Sequence, residues 1–363
     1  MNTVFLLGAG ASKHAGAPVM SDFLEQSKNL LLRNVIDEVD QSAFKTVFNI
    51  IGKLQSVHSK SKLDLHNIES IFTVFELGSV IGRLAGANLE EIEAGKIALQ
   101  RLIVTTIERT MAFPLNDNAA IMPTNIYSDF IELIKKLRDD ADPKHKVSII
   151  TFNYDLGVDV ALARHGFTPD YQLTFDSQDI NSGRIKFLKL HGSLNWVKSK
   201  DGDIKFMDIN KYISTSTLTG YYNQKSCHIQ MSKHLQFQIE GKKEEPNEIT
   251  PLIIPPSWNK SDYHKSVTKV WSAAAQVLSE ADNLFIMGYS LPETDSFFKH
   301  LYALGTLGDN PFRHLGVFDP SQAVDDRFRN LLGPGAIQKY HFYPLTFEKG
   351  ISEIKNMFIK NRR

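Results

Sequence analysis

Two segments together indicate the fold of this chain: Leu188-Lys189-Leu190-His191-Gly192-Ser193, and residues 149–155, Ile-Ile-Thr-Phe-Asn-Tyr-Asp. Each is an apolar segment typical of a buried strand, and each ends on polar residues. The carboxyl ends of parallel strands meet at one sheet edge, where open α/β folds bind ligands. A histidine there can act as an acid or a base near neutral pH. The two segments therefore predict one site containing Asn153 and His191.

Further apolar runs predict more strands of the same kind, at residues 4–7, 284–287, 315–318 and 340–343. The two opening segments add strands at 147–152 and 187–190. Helical patterns separate many of these runs, which favours a parallel sheet covered by helices on both faces. The predicted fold class is therefore α/β, with a mostly helical insertion or subdomain.

We interpret residues 1–363 as a single domain with two insertions. The first, about residues 20–140, lacks strand patterns and is mostly helical. The second, about residues 196–262, is irregular and contains a Ser/Thr-rich part (213–219) and a charged part (241–248). Helical periodicity is found over residues 22–33, 68–84, 92–111 and, after the second insertion, 269–281.

The composition excludes several classes of protein. The 41 basic residues balance the 41 acidic ones, so no overall field draws the chain to nucleic acid or to an anionic membrane. Cys227 is the single cysteine, which excludes an internal disulfide framework and a CxxC zinc site. The first residues do not resemble a signal peptide, and no apolar run reaches the roughly 20 residues that span a bilayer. We expect a cytoplasmic protein with no membrane segment.

Each remaining motif has an ordinary structural explanation beside the functional one. Gly8-Ala9-Gly10-Ala11-Ser12 follows a strand and suits a phosphate-binding turn, but Lys13 stands where a dinucleotide fingerprint has its third glycine. A plain tight turn is the alternative.

The other strand ends are equally ambiguous when taken singly. Asn153 and Asp155 are also good helix caps, and His191 could be a buried structural histidine. The segment beginning at Gly288 could be a turn, and Asp319 either a ribose ligand or a cap. These motifs, found together and in this order, indicate a ligand site more specifically than any one of them does alone.

Taken in order, these motifs resemble the sirtuin superfamily, in the divergent branch found in bacterial defence systems. The resemblance rests on residues 8–12 with Gly16 and Pro18, and on residues 151–155, 189–193, 288–291 and 317–319. It extends across most of the chain and implies an NAD-binding, Rossmann-like domain.

The resemblance also implies a role for each strand end. The first loop, with Gly8, Ala9, Gly10 and Ser12, would wrap the diphosphate and the nicotinamide ribose. Asn153 would hold that ribose or a water molecule, and Asp155 would contact the nicotinamide amide. His191 would be the general base. At the other end would lie Gly288, Ser290 on a phosphate or the adenosine ribose, and Asp319 on the adenosine ribose.

Departures from the family's deacylases define the expected reaction. The chain has no four-cysteine zinc module, so we expect no zinc. Phe152 stands where the deacylases carry glutamine, and Pro18 is not followed by Asp-Phe-Arg. The relatives that share these changes are NAD hydrolases, which give nicotinamide and ADP-ribose. The expected function is therefore NAD depletion, as a triggered effector of antiphage defence.

Relatives of this type imply a homo-oligomer or a nucleic-acid-sensing partner such as a helicase-type ATPase or an Argonaute. Residues 20–140 would then form an interface, or else a lid over the pocket. Two other functions stay open. The chain could be an NAD-dependent protein deacylase or ADP-ribosyltransferase, or a non-catalytic sensor of NAD or ADP-ribose.

Overall fold

A computed structural model describes residues 1–56, 63–139, 145–173, 183–199, 202–215, 225–238, 251–254, 261–292, 295–306 and 310–360. Its strands are β1 (Asn2–Leu7), β2 (Phe113–Pro114), β3 (Lys146–Thr151), β4 (Thr168–Asp170), β5 (Arg184–Lys189), β6 (Gly192–Ser193), β7 (Trp196–Lys198), β8 (Ile204–Phe206), β9 (Ser226–Cys227), β10 (Leu252–Ile253), β11 (Asn283–Met287), β12 (His314–Phe318) and β13 (Tyr340–Tyr343).

Its helices are α1 (Phe23–Leu32), α2 (Glu38–Ser56), α3 (Ile68–Ile81), α4 (Leu89–Thr110), α5 (Asn125–Asp139), α6 (Gly157–Arg164), α7 (Ile209–Thr215), α8 (Met231–Gln238), α9 (Ser261–Ser279), α10 (Ser296–Gly305), α11 (Gln322–Leu331), α12 (Pro334–Ile337) and α13 (Phe347–Lys360). In the part of the chain that is described, no helix is long and apolar enough to cross a membrane.

A seven-stranded sheet with the order β13-β12-β11-β1-β3-β5-β4 forms the centre of the molecule, and every pairing in it is parallel. Without the edge strand β4, this is the doubly wound order 3-2-1-4-5-6. The chain moves outward from β1 to β3 and β5, then returns to place β11 on the other side of β1. The carboxyl ends of β1 and β11 therefore flank the point where ligands bind in such sheets.

The predicted fold class is confirmed: a Rossmann-like parallel sheet with helices on both faces. All six predicted strands are present. Five are apolar runs that the sheet buries on both faces, whereas β13 lies at the sheet edge and is only partly buried. The seventh strand of this sheet, β4, was not predicted; it has three residues and contains Pro169. Proline cannot donate to a ladder and is tolerated at a sheet edge, where β4 lies.

The predicted helices are also present, with shifted ends. Helix α3 ends at Ile81 because Gly82 takes a left-handed conformation (φ 65°) that closes it. Helix α4 begins at Leu89, ahead of its predicted start, behind a capping box in which Asn88 and Glu91 bind each other's backbone N–H. Helix α9 likewise begins earlier than predicted, at Ser261.

Helices α1, α2 and α3 all pack against α4, whereas α5 packs against β3, α6 and α13. The region around residues 196–262 contains the antiparallel pair β7–β8. Its strands β10 and β9 pair with strands outside it, β6 and β2 respectively. Most of the Ser/Thr-rich part of that region, and the whole charged part, lie outside the described residues.

Candidate functional site at the carboxyl edge of the sheet

The strand register places Asn153 and His191 at the same level of the sheet edge. Thr151 pairs with Lys189 in the β3–β5 ladder, and each candidate residue lies two positions beyond its member of that pair. The ladder continues for one more bond, from the backbone N–H of Leu190 to the carbonyl of Thr151 (2.9 Å). The two strand ends therefore leave the sheet side by side, as the sequence predicts.

Asn153 is held by the loop that follows β1. Its Nδ2 donates to the carbonyl of Gly8 (2.9 Å) and to Oγ of Ser12 (2.9 Å). Ser12 in turn donates to the Asp155 carboxylate (2.6 Å), whose other oxygen accepts from the backbone N–H of Gly157 (2.8 Å). Because the amide nitrogen is engaged, Oδ1 is the atom through which Asn153 can accept a hydrogen bond from a ligand or a water molecule.

His191 is buried, with 4% of its surface exposed, and its backbone carbonyl accepts from the N–H of Ile254 (2.8 Å). The centroid of its ring lies 5.1 Å from the centroid of the Phe152 ring. The next residue, Gly192, has φ 86°, and a Cβ there would meet the carbonyl oxygen of Leu252 at 2.0 Å. Only glycine therefore lets the chain turn directly after the histidine.

The first glycine loop packs tightly against the end of β11. A Cβ on Gly8 would meet the oxygen of Gly288 at 2.5 Å, and one on Gly288, which has φ 64°, would meet the nitrogen of Ala11 at 2.4 Å. The N–H of Gly10 donates to the carbonyl of Gly288 (2.9 Å), and that of Ser12 to Ala9 (3.0 Å). In this structure the glycines join two strand ends at the switch point, and several loop N–H groups are used within the protein.

A cavity of about 750 Å³ opens at this edge, within the size range of small-molecule and cofactor sites. Its walls come from both halves of the sheet and from the helices above them. The predicted site residues on its described wall are Ala9, Gly10, Asn153, His191, Gly288, Ser290 and Asp319. The other three predicted residues are buried beside the cavity and support Asn153: Gly8, Ser12 and Asp155.

Burial changes the titration of several groups around the cavity. It lowers the pKa of His14, on the first loop, to about 4, so this imidazole is neutral near pH 7. It raises the pKa of Asp155, against the opposing effect of Lys189, and it raises the pKa of Asp319. Among the described residues, no group of three or more His, Cys, Asp or Glu is arranged to hold a metal ion.

The cavity wall also contains two residues that no sequence motif predicted. Glu69, from α3, and Phe347, from the start of α13, both line it. Glu69 follows Asn67, whose side chain accepts from the Glu69 backbone N–H (2.8 Å) and caps the helix. An acidic residue in a capped first turn is an ordinary helix signal, so nothing in the local sequence marks it as part of a pocket.

The structural neighbours are Sir2 sirtuins. They include a Sir2 homologue, solved as a serine-to-alanine mutant with ADP-ribose, at a TM-score of 0.45 and 12% identity, over 99% of this chain and 92% of that one. A histidine-to-asparagine mutant of a Sir2 homologue with ADP-ribose gives 0.44 and 12%, over the same shares. A Sir2 with the inhibitor EX-527, 2'-O-acetyl-ADP-ribose and a deacetylated p53 peptide gives 0.39 and 11%, over 98% and 93%. No protein-family model and no curated protein matches the chain.

Proposed function

We propose that this protein is an NAD hydrolase that cleaves the nicotinamide–ribose bond and releases nicotinamide and ADP-ribose. The observation that carries the proposal is the register of β3 and β5, which brings Asn153 and His191 to one level of the sheet edge and onto the wall of one cavity. A hydrogen-bond acceptor and a titratable imidazole are what a hydrolytic site needs at its reacting centre.

The reaction requires little covalent chemistry from the protein. The bond between the anomeric carbon and the nicotinamide nitrogen breaks, and its electron pair neutralises the leaving ring. Positive charge develops on the ribose, as in glycoside cleavage. A water molecule bonds to the anomeric carbon and loses a proton, for which His191 is the acceptor, directly or through a ribose hydroxyl. Asn153 positions the water or the ribose through Oδ1, and the apolar wall around Phe152 excludes bulk water.

The remaining predicted residues bind the substrate or support the site in this proposal. Ala9 and Gly10 of the first loop contact the diphosphate and the nicotinamide ribose. Gly8, Ser12 and Asp155, which the resemblance places in contact with the substrate, instead support Asn153 from beside the cavity. Gly288, Ser290 and Asp319 take the phosphate and the adenosine ribose. No zinc takes part. The biological role that we propose, a triggered effector of antiphage defence by NAD depletion, rests on the motif resemblance. Homo-oligomerisation, or a helicase-type ATPase or Argonaute partner, would supply the trigger.

Product analysis of purified protein with NAD tests the proposal. We expect nicotinamide and ADP-ribose, with losses of about 100-fold or more in His191→Ala and Asn153→Ala, the usual range for a lost acid–base or positioning group. His341→Ala is the matched control, because His341 is exposed on the edge strand β13. The assay is run with and without the candidate partners.

Products other than nicotinamide and ADP-ribose would indicate a different function. Acyl-ADP-ribose or a modified protein would identify a deacylase or a transferase, and ligand binding without turnover in any condition would identify a sensor. Full activity in both site variants would contradict the assignment of the site.

A further inference from the structure

One residue of the second insertion bonds to both strand ends of the site. Ile254, at the end of the described segment 251–254, donates its backbone N–H to the carbonyl of His191 (2.8 Å). The carbonyl of Ile254 accepts from the Tyr154 hydroxyl (2.9 Å), and Tyr154 directly follows Asn153 in the chain. Ile254 therefore joins the end of β3, which carries Asn153, to the end of β5, which carries His191.

Tyr154 holds the segment 191–194 at two points. Its backbone carbonyl accepts from the N–H of Leu194 (3.0 Å), which fixes the end of the segment. Its hydroxyl fixes the start of the segment, because it binds Ile254 and Ile254 binds His191. The bond from Leu194 uses backbone atoms, which every side chain would leave in place. Only the bond to Ile254 requires a tyrosine at this position.

The surroundings of the Tyr154 hydroxyl make this bond hard to replace. Ile254 is 1% exposed, so water does not readily substitute for a donor that its carbonyl loses. Burial, and then the charges of Glu69 and Asp295, raise the pKa of Tyr154. The phenol therefore stays protonated near neutral pH and remains a donor. The ring of Tyr154 lines the cavity, whereas its hydroxyl proton is used on Ile254.

We infer that Tyr154 is a positioning residue, which holds His191 in place beside Asn153 by way of Ile254. This inference rests on the proposed function, because it takes Asn153 and His191 as the pair that acts on the substrate. Proton transfer to His191 depends on where its ring stands, and displacing a reacting group by about 1 Å can cost on the order of 100-fold in rate. Loss of the hydroxyl should therefore slow turnover without weakening the binding of NAD.

Tyr154→Phe tests the inference, because it keeps the aromatic ring and removes only the hydroxyl. In conditions where the wild type turns over NAD, the variant should have a kcat roughly tenfold lower and a KM within about twofold. Hydrogen–deuterium exchange followed by mass spectrometry supplies a measurement that needs no turnover. The Ile254 amide should exchange about fivefold faster in the variant, since one hydrogen bond fewer opposes its opening.

Tyr340→Phe is the matched control. It also removes a buried tyrosine hydroxyl, which donates to Oδ1 of Asp325 (2.8 Å), and Tyr340 is not among the described residues of the cavity wall. Its kcat and its exchange at Ile254 should equal those of the wild type, even where its Tm falls as far as that of Tyr154→Phe. A general loss of stability is thereby separated from a loss of position.

Three results would overturn the inference: full kcat in Tyr154→Phe, exchange of the Ile254 amide at the wild-type rate, or a KM that rises as far as kcat falls. The last would indicate that Tyr154 contacts the substrate itself. A wild type that releases no nicotinamide in any condition would refute the proposed function instead. Exchange at Ile254 would then decide by itself whether the Tyr154 hydroxyl holds the segment that begins at His191.

Discussion

At the scale of single residues, Lys189 shows how the site is supported from within the core. Its Nζ donates to Oδ2 of Asp159 at 3.0 Å and to the backbone carbonyl of Asp155 at 2.6 Å, and neither charged side chain is exposed. The Tyr171 hydroxyl donates to the second oxygen of Asp159. The lysine thus fixes the backbone of Asp155, whose carboxylate orients Ser12 and, through it, Asn153.

Replacing Lys189 is expected to lower the free energy of unfolding substantially. Lys189→Met leaves the Asp159 charge buried without its cation, and such losses cost about 3–5 kcal/mol of unfolding free energy. Lys189→Met combined with Asp159→Asn should recover part of that loss, because the uncompensated charge is gone. Urea denaturation measures the free energy of unfolding of the single and the double variant. Lys186→Met, on the same strand but half-buried, should cost less than about 1 kcal/mol. Equal urea midpoints for Lys189→Met and the wild type would show that the pair adds no stability.

At the scale of elements, a buried carboxyl group joins helices α4 and α8. Glu108 accepts from the backbone N–H and from the hydroxyl of Ser232, both at 2.7 Å. Burial raises its pKa to about 7 from an ordinary value of 4.5. The folded state therefore binds a proton more tightly than the unfolded chain does. The stability that this group contributes is fully present below pH 4.5 and is lost as the pH rises through about 7.

The Glu108→Gln variant should remove this dependence. Relative to the variant, the wild type is expected to lose on the order of 2–3 kcal/mol of unfolding free energy between about pH 5 and about pH 8, following 1.36 kcal/mol per pKa unit. Urea midpoints at the two pH values give the difference. Glu25→Gln, at an exposed position on α1, serves as the control. A difference between wild type and Glu108→Gln that does not change with pH would contradict the assignment.

The elements also show what local sequence can and cannot predict. The long buried strands are predictable because their apolar runs are continuous, and β4 is not because it is short and contains Pro169. The strand-end residues Asn153 and His191 are predictable as neighbours because parallel strands share a carboxyl edge. The part of Glu69 in the cavity wall depends on how α3 folds back over that edge, which no local pattern encodes.

At the scale of the whole molecule, the cavity lies where the two halves of the sheet meet. The first half contributes residues after β1, β3 and β5, and the second contributes residues after β11 and β12. The close packing of the first loop on Gly288 holds the halves together at the switch point. A ligand that contacts both sides binds only the folded arrangement, so its binding free energy adds to the stability of the entire sheet.

ADP-ribose should therefore stabilise the wild type by about 2.7 kcal/mol at a concentration 100 times its Kd, seen as a rise in Tm. Gly288→Ala should abolish that rise, because the new Cβ meets the nitrogen of Ala11 at 2.4 Å at a residue with φ 64°. Gly333→Ala is the control, since a Cβ there meets nothing within 4 Å and φ is −75°. Thermal unfolding of each protein with and without ADP-ribose separates loss of binding from loss of folding. If Gly288→Ala folds and keeps the full ligand-induced shift, the contact between the halves is not needed for the site.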